Sequence, residues 1–121
     1  MRIQESAENY LETILILQKR KGTVRSIDIA NELDFSKPSV SVAMKNLRGN
    51  GYIQISSDGF ISLSDSGREI AERMLERHAF LTDWLVSLGV EAETAAEDAC
   101  RIEHVISAES FDAIKDSVSK S

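Results

Sequence analysis

Apolar residues recur three and four apart at the start of the chain, at Ile3, Ala7, Tyr10, Leu11, Ile14 and Leu17. That period predicts an amphipathic helix from about Ile3 to Gln18. Asn9 and Glu12 fall on its off-core side, near Glu5. Lys19-Arg20-Lys21-Gly22 predicts the stop, with cations at the negative helix end and glycine just past it. Ser26 is expected to cap a short helix, Ile27 to Leu33. Its inward set is either Ile27, Ala30 and Leu33 or Ile29, Ala30 and Leu33. Ser36 is expected to cap a further helix, with Pro38 in the first turn and Val40, Met44 and Leu47 inward. Arg48-Gly49-Asn50-Gly51 ends it.

The period then changes. Tyr52–Ile55 and Phe60–Leu63 read as strands around Ser56-Ser57-Asp58-Gly59, a hairpin signal. Ser64 is expected to cap a long helix with a stripe of Ile70, Met74, Leu75, His78, Leu81 and Leu85, ending near Leu88-Gly89. A helix from Ala92 to Ile106 places Ala95, Ala99, Ile102 and Ile106 on one face, and a last helix runs from Ala108 to Val118. The tail from Ser119 is expected to fray. The expected class is mainly α with a β-hairpin wing.

Helix, helix, helix, hairpin over residues 3–64 is the order of a winged helix-turn-helix. Its third helix needs small polar residues that let the backbone approach a groove, and cations that hold phosphates. Ser36, Lys37, Ser39, Ser41 and Lys45 supply these, with Pro38 in the same stretch. Val42 is expected to be exposed, where it can touch a thymine methyl. Arg48 and the wing tip Ser57-Asp58-Gly59 are placed to reach the DNA backbone.

Composition narrows the class. The 121 residues are 42% hydrophobic and 28% charged, which excludes a disordered chain. No apolar run is long enough to span a membrane, and the N-terminus lacks a signal-peptide core, so a soluble, cytoplasmic protein with no membrane partner is expected. One cysteine, Cys100, excludes an internal disulfide. The net charge of −6 lies wholly in the second half. Residues 1–65 hold 8 basic and 8 acidic side chains, whereas residues 66–121 hold 6 and 12. Lys19, Arg20, Lys21 and Arg25 form a basic stretch that can meet phosphates.

The acidic half contains Cys100-Arg101-Ile102-Glu103-His104. On a helix Cys100, Glu103 and His104 stand at i, i+3 and i+4 and share a face. Thiolate, carboxylate and imidazole suit a divalent transition metal. One helix cannot complete a shell, and His78, Asn9 and Glu12 are the further candidates. Competing readings are a buried structural cysteine, a partly buried His78 and a Cys-His nucleophile. No oxyanion loop accompanies the last.

The sequence resembles the diphtheria-toxin-repressor and manganese-transport-regulator family of metal-dependent repressors. The resemblance rests on Glu8-Asn9-Tyr10-Leu11-Glu12-Thr13-Ile14, the Ile29 to Leu47 helix pair, Leu63-Ser64-Asp65-Ser66-Gly67, Arg77-His78 and Ala99 through Ser107. It implies a non-enzymatic, homodimeric regulator with a DNA-binding domain at 1–64 and a helical metal-binding and dimerisation domain at 65–121. It implies Fe(II) or Mn(II) as corepressor, a palindromic double-stranded DNA operator, and a short form lacking the SH3-like domain of some members.

Carried over by position, Asn9, Cys100, Glu103 and His104 occupy the primary metal site. Glu12 and His78 match manganese-type positions, and His78 also matches an iron-type second site. Asn9 departs from the usual Met or Asp, and Thr82 and Ala96 replace two ligands of that second site. Cys100 leans towards Fe(II), and Glu12 with His78 towards Mn(II). Zn(II), Ni(II) or Co(II) are also expected to bind in vitro. Phe80, Leu81, Trp84, Leu85 and Leu88 are expected at the dimer interface, the alternative being an intramolecular core. Other classes of function are a winged helix sensing an organic ligand or partner, and a small metalloenzyme.

Overall fold

The computed structural model describes residues 5–119. The predicted helix start at Ile3 and the last two tail residues lie outside these. The chain divides into two compact units, Met1–Arg73 and Met74–Ser121. The division falls within one long helix.

The first unit contains α1 (Glu5–Lys21), α2 (Ser26–Leu33), α3 (Lys37–Gly49), β1 (Ile53–Ile55), β2 (Ile61–Leu63) and the start of α4 (Asp65–Ser87). Helix α1 packs on α2 and β2, α2 on α3, and α3 on β1. Leu11, Ile14, Leu17, Ile29, Ala30, Val40, Met44, Leu47, Ile53 and Ile61 are buried. The inward set of α2 is therefore the one built on Ile29, and Ile27 is exposed. Leu15 joins the core although the first-helix pattern omits it, and Glu12 is buried rather than off-core. Residues 11–15 are all buried, so α1 is covered on more than one face.

The start of α2 departs from the expected cap. Arg25 occupies the N-cap, and its N–H donates to Asp28 Oδ2 at 2.9 Å, while Ser26 is already helical. The acid three residues on reaches back and moves the start by one position. The cap of α3 is as expected, with Ser36 Oγ accepting from Ser39 N–H at 3.3 Å. Strands β1 and β2 pair antiparallel with Ile53 opposite Leu63 and Ile55 opposite Ile61. In the connection, Gly59 N–H donates to Ser56 O and Ser56 N–H to Phe60 O, both at 2.9 Å. Gly59 takes φ +86°, a left-handed conformation that glycine adopts without strain.

Ser64 caps α4, accepting from Gly67 N–H at 3.1 Å. Gly67 is needed for space, because an added Cβ would lie 2.0 Å from Tyr52 O. The second unit holds the rest of α4, α5 (Ala92–Val105) and α6 (Ala108–Ser119). Leu81, Ala99 and Phe111 form its core, with Phe80, Trp84, Ile102 and Ile106 packed against it. Ser107 starts α6 by accepting Ser110 N–H at 3.0 Å. Among the described residues, no helix is long and apolar enough to cross a membrane.

Candidate metal centre and nucleic-acid face

The second unit gathers chemically distinct donors. On α5, one donor atom each from Cys100, Glu103 and His104 lies within 4.8 Å of the others. The helical period produces this, because i, i+3 and i+4 stack on one face. Glu103 is 0% exposed. Its Oε1 is 3.4 Å from His104 Nε2, and its Oε2 is 3.4 Å from His78 Nδ1 on α4. Nδ1 of His78 is buried and makes no hydrogen bond.

Two donors on one transition-metal ion, each about 2.1 Å from it, stand roughly 3 to 3.5 Å apart. The carboxylate–imidazole separations match that spacing. The His78 nitrogen, buried without a hydrogen bond, is also a group whose burial costs free energy unless a cation or donor offsets it. Glu103, His78 and His104 fit a divalent transition metal by type and spacing, and Cys100 adds an exposed thiol on the same helix face.

Asn9 and Glu12 lie on α1 in the first unit. Asn9 is half-buried, its carbonyl accepting from Thr13 Oγ1 at 2.8 Å, and Glu12 is buried. Thr82 Oγ1 donates to His78 O at 2.7 Å, and so fixes the α4 backbone at His78.

The sequence pattern gave no role to Arg77, which is only 8% exposed. Its Nη1 donates to Glu103 O at 3.0 Å and to Ile106 O at 3.1 Å. Its place one residue before His78 was a weak signal. The carbonyls it meets are 26 and 29 residues away.

On α3 and its cap, Ser36, Lys37, Pro38, Ser39, Ser41, Val42, Lys45 and Arg48 are all exposed while Val40, Met44 and Leu47 are buried. Val42 is 58% exposed, as expected for its place on the face of α3 opposite Val40, Met44 and Leu47. The basic stretch behaves differently from expectation. Arg20 pairs with Glu32 at 2.8 Å and Lys21 with Asp28 at 2.7 Å. Arg25 stacks over Phe60, 4.3 Å from its ring centroid. These cations brace α1, α2 and the wing. Lys37, Lys45 and Arg48 form no ion pair among the described residues.

Of the residues expected at a dimer interface, Leu81 is fully enclosed in the core of the second unit. Phe80 and Trp84 lie half-buried against that core, Leu85 is half-buried, and Leu88 is 64% exposed.

Two family models cover the chain. The iron dependent repressor N-terminal DNA-binding domain matches residues 2–59. The iron dependent repressor metal binding and dimerisation domain matches residues 64–120. The transcriptional regulator MntR of Salmonella typhimurium is 34% identical over 110 residues, covering 91% of this chain and 70% of the relative. An HTH-type transcriptional regulator MntR of Listeria monocytogenes is 35% identical over 113 residues, covering 93% of this chain and 80% of the relative. A solved manganese-dependent transcriptional repressor in complex with manganese superposes with a TM-score of 0.85 at 27% identity. That alignment covers 93% of this chain and 52% of the solved one.

Proposed function

The chain belongs to the iron-dependent repressor family, a family of metal-dependent transcriptional regulators rather than enzymes, and from that premise we propose a cytoplasmic, homodimeric repressor of metal-homeostasis genes that takes Fe(II) or Mn(II) as corepressor. The observation that carries the reading is the convergence of Cys100, Glu103 and His104 donors on α5. His78 adds an imidazole from α4 with its buried Nδ1 beside Glu103. Asn9 and Glu12 are proposed as the donors from α1. Residues 1–64 are proposed as the DNA-binding domain and 65–121 as the metal-binding and dimerisation domain.

A divalent ion held by these donors supplies bonds that favour one arrangement of the chain over the others it samples. The chain's own residues set what that arrangement presents. Val40, Met44 and Leu47 anchor α3, so that Ser39, Ser41, Val42 and Lys45 face a major groove and Lys37 and Arg48 meet phosphates. In a homodimer two such helices read half-sites about 34 Å apart, or a multiple, so the operator is proposed to be palindromic. Metal control then needs only that metal bind the DNA-competent arrangement more tightly than the others. Phe80, Trp84, Leu85 and Leu88 are proposed to contribute to the dimer contact.

The test is anaerobic titration of chelator-treated protein with Fe(II) and Mn(II) separately, followed by binding of operator-length duplex DNA, beside His104→Ala. Stoichiometric metal binding and metal-dependent DNA binding, both lost in the variant, are expected. DNA binding indifferent to chelator would replace this reading by a winged helix governed by an organic ligand or a partner.

A further inference from the structure

We propose that Arg77 is the positioning residue of the metal centre, holding the last turn of α5 at the register in which His78 and Glu103 stand together; the inference rests on the metal reading above. Helix α5 ends at Val105, and Ile106 is already extended with ψ 139°. Glu103 O therefore belongs to the last helical turn, whose carbonyls lack a helical N–H partner. The Arg77 guanidinium supplies that donor and also ties down Ile106 O, in the turn that leads to α6. A cation at this end also complements the negative pole of α5.

Phe111 of α6 lies beneath the guanidinium, with Arg77 Cζ 5.4 Å from its ring centroid. Phe80 of α4 meets the same ring edge-on at 5.5 Å. Lys115 Nζ is 5.6 Å from that centroid and is held by Glu76 at 2.7 Å. The planar fork is thus fixed by packing as well as by its hydrogen bonds.

The consequence for the donors is geometric. Arg77 and His78 are adjacent on α4, and Arg77 bonds the main chain of Glu103 while His78 Nδ1 sits 3.4 Å from that residue's Oε2. The two hydrogen bonds of Arg77 tie α4 to the end of α5, and so set the distance at which the adjacent His78 faces Glu103. Arginine is needed because one guanidinium nitrogen is directed at two carbonyls while the plane rests on a ring. A lysine ammonium is a compact point donor that cannot stack in this way.

The experiment uses the full chain and Co(II), whose visible absorption reports ligand type and geometry. Arg77→Met and Arg77→Lys are compared with wild type and His104→Ala by Co(II) titration, with far-ultraviolet circular dichroism of the apo proteins beside it. The proposal expects both Arg77 variants to keep their helix content. Co(II) affinity should fall on the order of 10- to 100-fold in Arg77→Met, as for other outer-shell partners. Arg77→Lys should recover only part of the loss, and the absorption bands of both variants should differ from wild type. Wild-type affinity and bands in Arg77→Met would overturn the positioning role. Loss of helix content in both apo variants would overturn it too, because Arg77 would then be a core residue alone. Wild type that binds no Co(II) would overturn the metal reading itself, a result that the Arg77 variants cannot mimic.

Discussion

Nδ1 of His78 on α4 lies 3.4 Å from Oε2 of Glu103 on α5, at a point where the carboxylate is wholly buried. Removing the charge while keeping the shape separates its two roles. Glu103→Gln is expected to weaken Mn(II) and Fe(II) binding by at least about a hundredfold, taking the 10- to 100-fold losses of outer-shell partners as a floor. The apo protein should hold its melting temperature, since the amide keeps the size and shape of the buried side chain. Calorimetric titration and thermal melts of the same samples check both. A lower apo melting temperature with unchanged metal affinity would make Glu103 a structural residue.

The exposed face of α3 predicts two kinds of DNA-binding variant. Lys37→Ala and Lys45→Ala should each weaken binding to all sequences alike and reduce the slope of log affinity against log salt by about 1. Val42→Ser should leave that slope unchanged and relax the preference at one base pair, through loss of a methyl contact. Fluorescence anisotropy across a salt series, with operator and scrambled duplexes, distinguishes them. Lys21→Ala is a useful contrast. Its ammonium is paired with Asp28, so its loss should act on stability first.

Much of this was legible in the sequence, for reasons that differ by residue. Val40, Met44, Leu47, Ala95 and Ala99 follow the helical period and are buried. The face shared by Cys100, Glu103 and His104 follows from spacing alone. Glu12 was misplaced because a carboxylate interrupts an apolar stripe, and the period cannot show that a second face is covered. The ion pairs of Arg20 and Lys21 were not legible because Glu32 and Asp28 sit on the next helix and reach them only once α2 folds back. Arg77 was not assigned a role because its partners are main-chain carbonyls, which every residue carries and no sequence pattern marks.

The pair of Lys21 and Asp28 also predicts a pH dependence. The Lys21 ammonium, and then the Arg25 N–H, hold the Asp28 carboxyl below the usual carboxylate value of 3.8. A depressed folded value means the ionised form stabilises the fold. That contribution is complete above the unfolded value and is lost as pH falls through the folded one. Asp28→Asn should therefore cost up to about 1 kcal/mol at pH 7, the range of a partly solvated pair. The gap from wild type should stay constant down to about pH 5 and close below about pH 4. Urea denaturation at pH 7, 5 and 3 tests the sign. A gap that widened in acid would contradict the pairing.

The junction of wing and long helix gives the last prediction. A Cβ on Gly67 would stand 2.0 Å from Tyr52 O and 3.0 Å from Tyr52 C. That carbonyl cannot easily withdraw, for it accepts Ser64 N–H at 3.0 Å while Tyr52 N–H donates to Leu47 O at 3.0 Å. Nor can the first turn of α4 easily shift, since Ser64 Oγ both accepts Gly67 N–H at 3.1 Å and donates to Gly51 O at 2.7 Å. Gly67→Ala therefore overpacks a contact between two main-chain segments, a change that costs about 1–3 kcal/mol. For a unit of this size each kcal/mol lowers the melting temperature by about 4–8 °C. Ser66→Ala, which gives up hydrogen bonds to Gly51 O at 3.3 Å and with Ser64 Oγ at 3.1 Å at an exposed position, should fall by much less. Thermal melts of the two variants side by side decide the matter. Equal small losses would mean that the turn yields, and that Gly67 is not required by the approach of α4 to Tyr52, between α3 and β1.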